Sequence, residues 1–246
     1  MISILLILII STTQGYTPLL NLIKNSPLLT QAHEQHVNSP TVSHLMKSTP
    51  LVTASDSAKL DFATGFMGKV VADLMKTEQE LLGDWKIDKI VEAAGAEFDQ
   101  VQSHDNLLRI LNQGYNNEYE VAPPEVTVFS FVDCPWCLLA KQLLEEQYST
   151  NTTVQIIELE DLQQEGKHLR ASIALATGRT SMPACFVHGK SVGGFTDGFD
   201  GVRGEGFQYV PPKDVDLRLV GSGGLESLHL SGELRRLLEE GRGLLR

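Results

Sequence analysis

Residues 126–148 read VTVFSFVDCPWCLLAKQLLEEQY, and the reading of this stretch decides the fold. Val126 to Val132 is apolar and rich in β-branched and aromatic residues, bounded by Pro124 before it and Asp133 after, which is the pattern of a buried strand. After Cys134, Pro135 suits the first position of a helix, where its missing N–H would have no intrahelical partner anyway. Leu138, Leu139, Leu143 and Leu144 then recur at helical spacing. A strand therefore runs into a helix through Cys134-Pro135-Trp136-Cys137, with Cys134 at the helix N-terminus.

That position has a chemical consequence. The unpaired amides and the positive end of the helix dipole favour a thiolate, which lowers the pKa of an exposed cysteine there. Cys137, one turn later and more buried, can resolve a mixed disulfide on Cys134 by intramolecular attack. Asp133 opposes the thiolate, as an adjacent negative charge must. The competing reading of C-x-x-C is half of a zinc site, but the chain holds three cysteines and no second C-x-x-C, so redox chemistry is the expectation and no metal site is assigned. Cys185, in a predicted strand, reads as a small inert hydrophobe, with an oxidisable regulatory thiol as the alternative.

Downstream, Val154 to Glu158 reads as a second strand, Asp161 to Ala176 as a helix and Ala184 to His188 as a third strand. Gly189 and Lys190 turn the chain into Ser191 to Gly193. GGLESLHLSGELRRLLEEG, residues 223–241, reads as two closing helices broken by Gly232. Strand, helix, strand, helix, hairpin, helix is the order of an α/β thioredoxin-like fold.

Three motifs sit in that frame: CPWC at 134–137, TGRTSMP at 177–183 and GGFTD at 193–197. On their order and spacing, residues 126–197 resemble a glutaredoxin. The resemblance implies a four-stranded mixed sheet flanked by helices, preceded here by a helical N-terminal segment. It also implies a glutathione-dependent thiol-disulfide oxidoreductase, with glutathione as co-substrate and glutathionylated or disulfide-containing proteins as partners. Cys134 would be the attacking thiolate and Cys137 the resolving thiol. A cis peptide bond between Met182 and Pro183 would leave the Met182 backbone free to pair with an extended thiol peptide. Thr196 and Asp197 would hold the γ-glutamyl end of glutathione, with Gly193 and Gly194 permitting close backbone approach. Arg179 would meet the glycine carboxylate, and Trp136 would flank the sulfur.

The chain departs from the family pattern in two places. Phe131 stands where relatives often carry a lysine three residues before the first cysteine, which removes one thiolate stabiliser. Residues 198–223 form an insertion where the family proceeds directly into helix. Two alternatives remain open at this stage: a protein sharing a [2Fe-2S] cluster between two subunits through Cys134 and glutathione, and a catalytically weak thioredoxin-like interaction module.

Working outward, the 126–246 domain follows a 119–125 linker marked by Pro123 and Pro124. Residues 56–118 predict three short helices: Phe62, Phe66, Val70 and Leu74 form one apolar stripe, loosened by Gly65 and Gly68, and Ile87, Ile90, Val91 and Ala94 form a second. Ser103 stands where an N-cap would precede HDNLLRILNQ, and Gly114 stops that run. Met1 to Ile10 has the length of a signal h-region and is too short to span a bilayer, so residues 1–15 read as a signal peptide for the secretory route, leaving no membrane segment in the mature form. Residues 16–55, rich in Ser, Thr and Pro, have the composition of a disordered transit segment. With Tyr16 just after the cut, the two together resemble bipartite plastid targeting. Within residues 1–55, Lys24 and Lys47 oppose only Glu34, a net +1, so of the whole-chain charge of −11 the remainder holds −12, and a nucleic-acid partner is disfavoured because phosphate binding needs Lys and Arg.

Overall fold

The computed structural model describes residues 54–115, 123–198 and 216–244. The expectations for the signal peptide, for nearly all of the transit-like segment, for most of the linker and for the middle of the insertion lie outside the described residues. In chain order the elements are α1 (Ala54–Thr64), α2 (Phe66–Ala94), α3 (Gln100–Gln113), β1 (Val126–Ser130), α4 (Pro135–Tyr148), β2 (Val154–Glu158), α5 (Gln163–Thr177), β3 (Ala184–Val187), β4 (Lys190–Gly193), α6 (Leu225–Leu230) and α7 (Glu233–Leu244).

The sheet has the order β2-β1-β3-β4, with β1 parallel to β2 and antiparallel to β3, and β4 antiparallel to β3. It is the expected four-stranded mixed sheet of a thioredoxin-like fold. All five residues of β1 are buried, because this strand is paired on both sides and its faces are both covered. Its side chains alternate between two cores. Val126 and Val128 join Leu144 of α4, Leu225 of α6 and Leu234 of α7, whereas Phe129 joins Phe186, Leu169 and Ile173 on the opposite face. Phe129 and Phe186 meet edge to face, with ring centroids 5.7 Å apart.

The strand run expected to reach Val132 ends at Ser130. Phe131 to Asp133 turn the chain into α4, and the Cys134 amide donates to the Phe131 carbonyl at 3.2 Å. The hairpin turn falls at His188 and Gly189, both with positive φ, so β4 starts at Lys190 instead of Ser191.

The N-terminal segment differs more from its expectation. Its second helix, α2, runs 29 residues and carries the second stripe and all of the first but Phe62, which lies on α1. Only Gly65 lies between helices. Gly68 is helical, and it brings α1 and α2 together: a Cβ there would lie 2.2 Å from the Phe62 carbonyl oxygen. The part of the first stripe on α2 faces outward, with Phe66 79% and Val70 44% exposed, while Ile87 and Ala94 of the second are buried. The N-cap of α3 is Asp99, whose carboxylate accepts from the Gln102 amide at 3.0 Å, and Ser103 is buried inside the helix. Helix α3 belongs to the main core: Leu107 and Ile110 are fully buried in the cluster of Phe129 and Phe186. Glu165 of α5 accepts from Asn106 of α3 at 3.3 Å and from the Tyr115 hydroxyl at 2.9 Å.

The insertion leaves and re-enters at one place. A Cβ on Gly198 would meet the Ser222 carbonyl oxygen at 2.3 Å, and the first amides of α6, Leu225 and Glu226, each donate at 2.9 Å to the Gly194 and Phe195 carbonyls. The cost of closing a loop rises slowly with its length, so ends this close tolerate a long excursion. Its returning arm extends the sheet edge: the Ser191 amide donates to the Leu217 carbonyl and the Leu219 amide to the Ser191 carbonyl. No described helix is long and apolar enough to cross a membrane.

Candidate active site

Cys134 is the N-cap of α4, in extended conformation, with Pro135 starting the helix. Its sulfur accepts from the Cys137 amide at 3.3 Å, so it occupies the place of an N-cap oxygen. The two thiols are unpaired and unequal: Cys134 is half-buried, Cys137 fully buried. Hydrogen bonding from the Cys137 thiol holds the Cys134 pKa below the ordinary thiol value against the opposing effect of burial. The amides of Cys137 and Trp136, and the more distant Lys141 ammonium, act in the same direction. Burial pushes Cys137 well above the ordinary value, and its bond to Cys134 adds to this. The pair is therefore polarised toward a thiolate at Cys134.

Two charges outside the motif alter the electrostatics expected from sequence. Phe131 supplies no ammonium and lies instead beneath the Arg170 guanidinium, 5.0 Å from the ring centroid. Asp133, expected to oppose the thiolate, is paired with Lys59 of α1 at 2.9 Å.

Beside the sulfur, the Met182 carbonyl oxygen lies 3.6 Å from Cys134 Sγ, and the Met182–Pro183 bond is cis. Trp136, Met182, Pro183, Thr196 and Asp197 line one groove. Five of the residues singled out in the sequence thus converge on one cavity next to Cys134. Arg179 and Gly194 stand behind it. Arg179 is buried and ion-paired: its Nη2 is 2.6 Å from Asp197 Oδ2 and 2.7 Å from Ser181 Oγ. The sequence reading put these two charges at opposite ends of a ligand, whereas here they neutralise each other. Gly194 must be glycine for this, since a Cβ would lie 2.3 Å from Asp197 Oδ1 and 2.8 Å from Arg179 Nη2. Gly178, left-handed at φ 73°, ends α5 and aims TGRTSMP at the groove.

The opposite wall was missed from sequence. Ala72 and Met75 of α2 line the same groove. Gln79 accepts from the amide and hydroxyl of Thr180 and donates to the Gly178 carbonyl at 3.0 Å. Phe62 of α1 packs edge to face on Trp136 with centroids 6.2 Å apart. Nothing in the sequence signals these contacts, which join residues 74 to 101 positions apart.

Cys185 lies at the centre of β3, fully buried, with burial pushing its thiol up to about 12. Cys185 and His188 do have C-x-x-H spacing, but among the described residues no group of three or more His, Cys, Asp or Glu side chains is placed to hold a metal ion.

The family model for glutaredoxin matches residues 126–192, which contain the first two motifs and end before GGFTD. A glutaredoxin of Vernicia fordii is 36% identical over 86 residues, covering 35% of this chain and 78% of that protein. The chain belongs to the glutaredoxin family. The chloroplastic glutaredoxin-C4 of Oryza sativa subsp. japonica is 35% identical over 77 residues, 31% of this chain. The chain spans 55% of the length of that rice glutaredoxin and 65% of glutaredoxin-C6 from the same plant. Among solved structures, a buckwheat glutaredoxin-glutathione complex is 20% identical with a TM-score of 0.40, covering 60% of this chain and 96% of the other. The residues matched by the family model begin at Val126, after α1 to α3.

Proposed function

We propose that the chain is a glutathione-dependent thiol-disulfide oxidoreductase, and the observation that carries this reading is the polarised Cys134–Cys137 pair beside the Met182–Thr196 groove. The Cys134 thiolate attacks the glutathionyl sulfur of a mixed disulfide R–S–S–G. A new S–S bond forms between Cys134 and glutathione while the old one breaks, and R–S⁻ leaves with the electron pair and takes a proton from water. A second glutathione thiolate then attacks the glutathionyl sulfur, releasing glutathione disulfide and restoring the Cys134 thiolate. In the dithiol route, Cys137 attacks Cys134 instead and releases glutathione; two further glutathiones reduce the resulting internal disulfide.

The chain's own groups have separate tasks. The N-terminal amides of α4 and the Cys137 thiol hold the negative charge on Cys134 between steps. The Met182 backbone aligns an extended thiol peptide, and Thr196 and Asp197 receive its γ-glutamyl end, with the Asp197–Arg179 pair opening to share its charges with the ligand's amine and carboxylates. The high pKa of Cys137 keeps it protonated, and so a hydrogen-bond donor, until Cys134 is oxidised.

The cluster-sharing alternative fits this rim poorly. A [2Fe-2S] group held between two Cys134 sulfurs needs two rims to meet, and here Lys59 and Phe62 already occupy the Asp133 and Trp136 side. The plastid reading of residues 1–55 is supported by the name of the chloroplastic rice relative and is tested by locating the tagged full chain.

The deciding assay is glutathione-driven reduction of a glutathionylated peptide. Parent protein and Cys137→Ser are expected to turn over and Cys134→Ser is not. Turnover surviving in Cys134→Ser overturns the assignment, and loss in Cys137→Ser makes the dithiol route obligatory.

A further inference from the structure

We infer that α2 is the specificity-determining wall of this site: Ala72, Met75 and Gln79 restrict Cys134 to disulfides carried on small, extended thiols of tripeptide size and exclude those on folded proteins. The inference rests on the glutathione reading of Cys134 and narrows its substrate class.

A folded protein that delivers a disulfide must bring its own surface against the rim around the sulfur, and even transient protein interfaces bury several hundred Å² per partner. Here the rim is already taken at three points. Lys59 of α1 holds Asp133, Phe62 of α1 packs on Trp136, and Gln79 of α2 holds Thr180 by its amide and hydroxyl. Between these contacts α1 and α2 form an arch, closed at the Gly65–Gly68 junction where the two backbones touch.

Under the arch, Ala72 and Met75 face Trp136, Pro183 and Thr196 across a narrow groove. An extended thiol can lie along this groove beside Met182 without a flanking surface, whereas a protein loop brings one that must seat on the covered rim. Gln79 also donates to Gly178, so both of its polar ends are engaged with the TGRTSMP segment. It is a positioning residue: it fixes α2 against the strip that receives the ligand. Helix α2 in turn is anchored at its far end, where Gln164 of α5 donates to the Ala94 carbonyl at 2.6 Å and Ile87 is buried.

The test compares kcat/KM for two glutathionylated substrates, the mixed disulfide of glutathione with 2-mercaptoethanol and glutathionylated serum albumin. The parent is expected to prefer the small one by roughly tenfold or more, and Gln79→Ala and Met75→Ala/Gln79→Ala to shift the ratio toward albumin by about fivefold. A parent that handles both alike, or variants that leave the ratio where it was, overturn the wall. A second readout needs no turnover: Cys134 alkylation by iodoacetamide and by a polymer-linked maleimide, whose rate ratio Gln79→Ala is expected to move toward the large reagent. If neither substrate turns over, the glutathione reading fails, and the alkylation ratio still decides whether α2 walls off the sulfur. If Gln79→Ala proves unfolded, Gln79→Glu serves in its place: it retains an acceptor for Thr180 but loses the donor to Gly178.

Discussion

Helices α2 and α3 lie in one N-terminal segment and have opposite relations to the rest of the molecule. Leu107 and Ile110 of α3 are fully buried against Phe129 and Phe186, whereas α2 leaves Phe66, Val70 and Leu74 facing solvent and touches the domain through Ala72, Met75, Gln79 and its C-terminal end. One helix completes the core and the other stands over the chemistry. A segment that precedes the residues matched by the family model can therefore be structural at one end and line the groove at the other.

The largest effect expected from this contrast is on stability. Leu107→Ala empties a closed position and should cost about 2–5 kcal/mol in denaturant unfolding, with the pH midpoint of Cys134 alkylation unmoved. A loss below about 1 kcal/mol would show that α3 is an appendage and not part of the core.

The second effect is on the chemistry. Cys134 alkylation should reach half its maximal rate at a lower pH than an ordinary exposed cysteine does, because the thiolate is the reactive form and is the form stabilised here. Cys137→Ala removes the leading donor to that thiolate, so the midpoint must move upward, and rates at neutral pH must fall while unfolding reports only a modest change. A midpoint that stays put would assign the stabilisation to the helix end alone. Cys185, with its thiol pushed up to about 12, should remain unlabelled in the folded protein throughout.

Smaller effects separate the two faces of the arch. Phe62→Ala breaks the edge-to-face contact with Trp136 and should cost about 0.5–1.5 kcal/mol beyond its lost burial, with faster alkylation of Cys134. Leu74→Ala, on the solvent face, should stay within about 0.5 kcal/mol. If these two variants prove equal in stability, Phe62 is not a strut of the arch.

The legibility of the sequence follows the same division. The β1–α4 junction could be read because both its signals are local: an apolar β-branched run and a proline at the first helical position act on their own neighbours. The outward face of α2 could not be read, because periodicity reports that a helix has an apolar face, and not which neighbour covers it. Gly68 was misread for a related reason, since the atom it must avoid, the Phe62 carbonyl oxygen, belongs to a different helix. The Arg179–Asp197 ion pair could not be read either, because sequence gives residue types and not which charges meet.

Taken by itself, the sequence determined where the Cys134 sulfur stands and what surrounds it within the motif-bearing strand, helix and hairpin, since backbone geometry and helix-end electrostatics act over a few residues. Tertiary structure alone decided what covers that sulfur. Lys59, Phe62, Met75 and Gln79 reach the site only after α1 and α2 fold back along the domain, and contacts that bridge so much chain are selected by packing, which leaves no periodic trace in the residues that make them.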